Sequence, residues 1–307
     1  MRDGVSFDQL RTFIAAAEAG SFSAAGRQLG RTQSVVSQTI ANLEGLLGVP
    51  LFDRSGRYAQ LTPQGRILLA DAKAVACTLN GMKARAKGMA GGLEPELSVV
   101  IDVMFPIKVL TEVAAAFGER FPTIPLRLYV EALGGVAQAV LDRRCGLGVM
   151  GTLELNVPEL NHERLLGVKM VLVAAKGHPL AGHIRPIPAL ELARYVQLVL
   201  TDRTELSKGQ EFGVVSPRTW RIADLSAKHA FLRAGLGWGG MPLAMVERDL
   251  AEGVLVEFVL EDAPQDGFIL PMSATYRTDS PPGPAGRWLI EQLKTLASAG
   301  SIAGARK

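Results

Sequence analysis

Thr32-Gln33-Ser34-Val35-Val36-Ser37-Gln38-Thr39-Ile40-Ala41-Asn42-Leu43-Glu44-Gly45-Leu46-Leu47-Gly48 decides how the first part of this chain folds. Thr32 suits an N-cap, because its hydroxyl can accept from an orphan amide, and Gly48 supplies a left-handed stop. Between them Val36, Ile40, Leu43 and Leu47 recur at helical spacing as an apolar stripe. Gln33, Ser34, Ser37 and Gln38 form a polar stripe roughly a third of a turn away, at about 100° per residue. A helix so divided suits a DNA major groove: glutamine bonds an adenine edge through two atoms, and short serines permit close approach. A solvated face on an ordinary core helix has the same pattern, so the flanks must decide.

Upstream, Ser6 and Gln9 match a capping box, and Leu10, Phe13, Ile14 and Ala17 continue at helical spacing to a stop at Gly20. A second helix from Ser21 or Ser23 to Leu29-Gly30 is too short to stand without packing partners. Ser23 and Arg31, at its two ends, join Thr32 as candidate DNA contacts. Downstream, Leu51-Phe52 and Ala59-Gln60-Leu61 read as short strands around a Ser55-Gly56 turn. Arg54 and Arg57 flank that turn, in reach of phosphates or a narrow minor groove. Three helices and a basic hairpin make a winged helix-turn-helix over residues 1–62. Charge agrees: residues 1–90 hold 11 Lys and Arg against 6 Asp and Glu, while the remainder holds 22 against 24. A basic front on a mildly acidic body suits a polyanionic partner, though an ordinary scatter of solvated charges gives the same balance.

These residues carry a resemblance. Leu10, Phe13, Glu18-Ala19-Gly20-Ser21-Phe22-Ser23-Ala24-Ala25, Gln33-Ser34-Val35-Val36-Ser37, Leu43-Glu44, Leu47-Gly48-Val49-Pro50-Leu51-Phe52-Asp53-Arg54 and Leu61-Thr62-Pro63-Gln64-Gly65 look like the LysR-type transcriptional regulators. The resemblance implies that Gln33, Ser34 and Ser37 meet the major groove and that Arg54 and Arg57 approach backbone or minor groove. Two positions depart from the family pattern. Gly26 stands where alanine is usual and should loosen its helix by ~1 kcal/mol. Gln38 stands where Arg or Lys is common, removing one phosphate contact.

Thr62-Pro63 opens the next helix, and Leu68, Ala72, Val75, Leu79, Met82, Ala86 and Met89 then alternate steps of four and three. That heptad seam expects pairing between subunits, although a helix packed on its own chain would show an apolar stripe too. The resemblance favours dimerisation through residues 63–92, which end in a Gly91-Gly92 hinge, and implies a homodimer or homotetramer.

From residue 93 strands and helices alternate, expecting an α/β domain with largely parallel sheets. Strands are expected at Leu97–Ile101, Leu126–Val130, Val168–Ala174 and Val196–Leu200, helices from Leu110 to Phe121 and from Gly135 to Arg143, and a glycine-rich turn at Gly235–Pro242. Phe117, Phe121-Pro122, Lys176-Gly177-His178-Pro179-Leu180-Ala181 and Ala234-Gly235-Leu236-Gly237 with Met241-Pro242 resemble the same family's effector-binding domain. That implies two periplasmic-binding-protein-like lobes, lobe I at 93–165 and 268–300 and lobe II at 166–267. Gly146 replaces an aspartate that many members carry.

Ligands of open α/β sheets bind beyond the strand ends. The corresponding loops offer Asp102, Val103, Met104, Phe105, Glu131, Leu133, Met150, Thr201 and Arg203 as candidate effector contacts. Where carboxylate-binding members often present Ser or Thr, this chain presents Asp102-Val103-Met104-Phe105. An apolar or aromatic effector carrying a donor or cation for Asp102 is therefore expected, with Met104 and Phe105 as plain core the alternative and Arg203 a possible anion anchor.

Other functions fit less well. His162, His178, His183 and His229 show no metal-ligand spacing, and no nucleophile elbow occurs, so catalysis, metal and cofactor are not expected. A transported-solute binder would carry a signal segment and no helix-turn-helix. No apolar run is long enough for a membrane helix, and Cys77 and Cys145 suit a reducing cytoplasm. The sequence thus predicts a cytoplasmic regulator that binds double-stranded DNA and a small-molecule effector, with RNA polymerase a candidate further partner.

Overall fold

The computed structural model describes residues 4–55, 59–151, 157–183, 186–207, 209, 212–261, 264 and 267–303. Arg57, a predicted DNA contact, lies outside them. Two compact units result, residues 1–90 and 91–307.

In the first unit, α1 (Phe7–Ala19) starts on the capping box: Gln9 N donates to Ser6 Oγ and Ser6 N to Gln9 Oε1. Ser21 caps α2 (Phe22–Leu29) and Thr32 caps α3 (Gln33–Leu47), with Gly20, Gly30 and Gly48 left-handed behind the three helices. Strands β1 (Phe52–Asp53) and β2 (Gln60–Leu61) pair antiparallel as the wing. Phe13, Ala16, Ala25, Val36, Ile40, Leu43, Leu51 and Phe52 form the core, and the Phe13 and Phe22 rings meet Phe52 edge-on. Burial of such side chains, about 1.5–3 kcal/mol for each large one, is what makes the short α2 stable. Leu47 differs from expectation: at the last turn of α3 it is 36% exposed, outside the stripe's buried part.

Gly26 also differs. It is buried, and a Cβ there would lie 2.6 Å from the carbonyl oxygen of Arg31. The glycine allows the α2–α3 turn to fold back closely, which is a packing requirement and not a mere loss of helix propensity.

Helix α4 (Pro63–Ala90) begins with the Thr62 hydroxyl accepting from Gly65 N. Its first turns pack on the winged core through Leu68 and Ala72. Beyond them the seam residues Val75, Met82 and Met89 are exposed, Met82 by 53%.

The second unit contains β3 (Leu97–Asp102), α5 (Ile107–Arg120), β4 (Leu126–Glu131), α6 (Gly134–Leu141), β5 (Leu147–Gly151), β6 (Leu160–Ala175), α7 (Ala189–Leu192), β7 (Gln197–Leu200), β8 (Thr219–Ile222), α8 (Leu225–Arg233), β9 (Trp238–Pro242), α9 (Leu243–Ala251), β10 (Leu255–Phe258), β11 (Phe268–Arg277) and α10 (Pro284–Ala303). The described strands form one sheet in the order β4-β3-β5-β11-β6-β9-β7-β8, with β10 beside β6. It is more mixed than expected. β3, β4 and β5 run parallel, as do β7, β8 and β9, but β11 and β6 pair antiparallel to each other and to β5 and β9.

One core packs α5 and α10 on β3, β5 and β11 through Phe117, Leu147, Met272 and Ile290. A second packs α8 and α9 on the β6–β7–β9 region through Val173, Leu198, Leu232 and Val246. The long strands β6 and β11 join the two, so the chain crosses between lobes twice. The glycine-rich turn at 235–242 resolves into a turn followed by strand β9, whose Trp238 is fully buried.

Candidate functional site

The polar stripe of α3 faces solvent. Gln33, Ser34 and Gln38 are exposed and Ser37 is half-buried. Ser34 Oγ shares a hydrogen bond with Thr32 Oγ1 at 2.9 Å, and Gln38 Nε2 donates to Asn42. Arg54 leaves the wing to meet this face: one guanidinium nitrogen sits 3.5 Å from Ser37 Oγ, another donates to Glu44 Oε2 at 2.8 Å, and the group lies over the Phe22 ring.

Glu44, which entered the sequence reading only as part of a family motif and without a role, holds this corner. Its Oε1 accepts from Leu51 N and Phe52 N, so one carboxylate fixes β1 to α3 and aims Arg54. Arg31 makes a two-pronged pair with Asp8 at 2.7 and 2.8 Å, tying the α2–α3 turn to α1. That guanidinium holds the Asp8 carboxyl below its ordinary range. Ser23, exposed at the start of α2, accepts from Arg27. The result is a contiguous polar face of Gln33, Ser34, Ser37, Gln38 and Arg54.

In the second unit, a cavity of about 350 Å³ opens among strand ends contributed by both cores. Of the expected contacts, Asp102, Met104 and Leu133 line it, and Leu133 and Thr201 line an adjoining polar recess. Phe105 and Met150 are buried in separate core clusters, Val103 packs on a third, and Glu131 and Arg203 line neither space. Most of the remaining cavity wall comes from strands that periodicity could not bring together, including Met170, Leu172, Trp238, Phe268 and Leu270, with Lys228 added from α8.

Asp102 is buried, and its carboxylate accepts from the backbone amides of Met104, Leu133 and Gly151. It thereby fastens the ends of β3, β4 and β5 to one another. Deep burial outweighs those amides and raises its pKa to about 6. Leu133, one of the donors, holds an unusual φ of +49° at the start of α6. Such strain persists only where surroundings enforce it. The Gln197 amide is engaged too, donating to Gly213 O and accepting from Val215 N and Ser216 N.

Residues 7–66 match the family model described as a bacterial regulatory helix-turn-helix protein of the lysR family, and residues 90–298 match the LysR substrate binding domain. The chain belongs to the LysR family. It is a DNA-binding transcriptional regulator with an effector-binding domain. Among curated relatives, the probable HTH-type transcriptional regulator YhaJ of Escherichia coli is 28% identical over 295 residues, 95% of this chain and 97% of that one. The HTH-type transcriptional regulator AceR of Acinetobacter baumannii is 28% identical over 296 residues, 94% and 97% of the two chains. A cysteine mutant of OxyR from Corynebacterium glutamicum has the same fold, with a TM-score of 0.57 at 22% identity, covering 99% of this chain and 96% of that one. LysR regulators form oligomers, and no described helix here is long and apolar enough to cross a membrane.

Proposed function

We propose that residues 1–62 of this LysR-family regulator bind operator DNA, residues 63–92 pair subunits, and the cavity behind Asp102 receives the effector that controls the outcome. The observation that carries the DNA assignment is the exposed face of Gln33, Ser34, Ser37 and Gln38 with Arg54 beside it. Gln33 and Ser37 read bases in the major groove, and Arg54 and Arg57 meet the phosphates flanking it. Ser23, Arg31 and Thr32 contact backbone at the helix ends.

Pairing through α4 is supported by the uncovered Val75, Met82 and Met89, continuing a seam whose first members are already packed. Both edge strands of the sheet also expose apolar side chains, Tyr129 and Val130 on β4 and Trp220 on β8. Uncovered apolar edges favour a further contact between sensing domains, and hence a homotetramer. Working from the cytoplasm, such an assembly places recognition helices in successive major grooves. Effector entry then changes which half-sites are held or how DNA is bent, and through this the access of RNA polymerase. The chain performs no catalysis in this scheme.

Footprinting on DNA upstream of its own and neighbouring genes, with and without a metabolite panel, tests this reading. Protection should shift with one metabolite and disappear when Gln33 and Ser37 are both replaced by alanine. A footprint indifferent to that double replacement refutes the recognition-helix assignment.

A further inference from the structure

Lys228 is the second charged residue on the cavity wall among its described members, and it is 3% exposed. It rises from the first turn of α8, where its Cε packs against Gly239, and its ammonium donates to Gly240 O at 2.7 Å. An ammonium carries three donors. One is used here, and among the described residues no carboxylate pairs with it. Around it Met170, Leu172, Val199, Trp238 and Leu270 are apolar, and the side-chain carbonyl oxygen of Gln197, also on the wall, already accepts from Val215 N and Ser216 N.

Asp102 does not supply the missing partner. Its oxygens are spent on backbone amides, and burial, not the other charge, accounts for the displaced pKa of each group. The cavity therefore presents one satisfied anion and one under-satisfied cation at separate points of an apolar wall. A buried charge lacking its counterion gains strongly from a ligand that supplies one, because the interaction forms where water is scarce.

We propose that Lys228 selects the effector's charge: the ligand is an apolar-bodied monocarboxylic acid whose carboxylate meets Lys228 Nζ while its body fills the cavity. This rests on the cavity being the effector site. An α-amino acid fits less well, since its ammonium would sit beside its carboxylate and away from Asp102. A dicarboxylate would bury a second charge with nothing to receive it.

The test is calorimetric titration of the intact protein with phenylacetate, phenylacetamide, phenylalanine and succinate, in the wild type, Lys228→Met and Met170→Trp. The wild type should bind phenylacetate about tenfold or more tighter than the amide, as expected for a charge-assisted bond in a dry site. Lys228→Met should lose that preference yet still bind the amide, showing that the cavity has stayed intact. Met170→Trp, which fills the cavity, should bind neither. If Lys228→Met still prefers the acid, or if the wild type prefers phenylalanine or succinate or binds no phenylacetate, the inference about Lys228 is overturned. Phenylacetate binding that survives in Met170→Trp would instead overturn the cavity as the effector site.

Discussion

Replacing Lys228 by methionine should make the unliganded protein more stable. In the folded chain burial lowers the Lys228 pKa from 10.5 to about 8. That difference, at 1.36 kcal/mol per unit, corresponds to roughly 3 kcal/mol spent in keeping the ammonium charged inside. Methionine has similar length and no charge to desolvate, but it leaves Gly240 O without its donor, a loss of about 1–2 kcal/mol. The net gain at neutral pH is then about 1–2 kcal/mol. The sign with pH follows from the lowered value. Between pH 8 and 10.5 the unfolded chain holds the proton and the folded one does not, so wild-type stability rises across that window. The variant should lack this rise, and its advantage should shrink until, above 10.5, it falls behind. Urea unfolding by tryptophan fluorescence is well suited, because Trp220, Trp238 and Trp288 all lie in the sensing unit. A variant less stable than wild type at pH 7, or a stability difference that does not change between pH 7 and 10, refutes the burial argument.

Glu163 should give a pH dependence of the same sign, on the acid side. Partial burial pushes its pKa up, but Lys294, Arg287 and Tyr276 more than offset this and hold it at about 2 against an ordinary 4.5. Its stabilising contribution is complete above 4.5 and disappears as pH falls towards 2, so Glu163→Gln should flatten the acid side of the urea-midpoint profile. Gly26→Ala should destabilise the DNA-binding unit by about 1–3 kcal/mol, read by circular dichroism, because the new methyl meets the Arg31 carbonyl. Helix propensity alone predicts a gain of ~1 kcal/mol, so the sign decides between the two effects. Val75→Asp should raise the subunit dissociation constant about tenfold or more in sedimentation equilibrium while leaving the circular-dichroism spectrum intact, since that side chain is exposed within one chain.

The DNA-binding unit was legible because its signals are local. Ser6 with Gln9, Thr32, and glycines 20, 30 and 48 each act within a turn of their own position, and the structure uses every one as a cap or stop. Glu44 stayed hidden because its role depends on amides seven and eight residues away, across a turn. In the sensing unit the strands with continuous apolar runs were readable, while β11 was not. Pro271 interrupts it, and the register shifts between Pro271 and Ser273. Strand β9 was disguised by glycines that turn out to serve close packing: a Cβ on Gly239 would lie 2.6 Å from Leu198 O. Nothing in the residues next to Lys228 marks it as buried. It is enclosed where α8 packs on β6, β7 and β9, strands distant in sequence, so no local signal could show the cavity's charge.

The position of β11 has a consequence for the order in which the protein is made. This strand fills the gap between β5 and β6, and the helix after it, α10, closes the core over Phe117. Until the ribosome has released residues 268–303, lobe I lacks the strand between β5 and β6 and its cover. The DNA-binding unit, complete by residue 90, has by then long had all the sequence it needs. A message cut short after lobe II would therefore yield a protein equipped to hold DNA and deprived of the half that listens for its effector. Nonsense changes late in the gene should give regulators locked in one state, in place of simple loss.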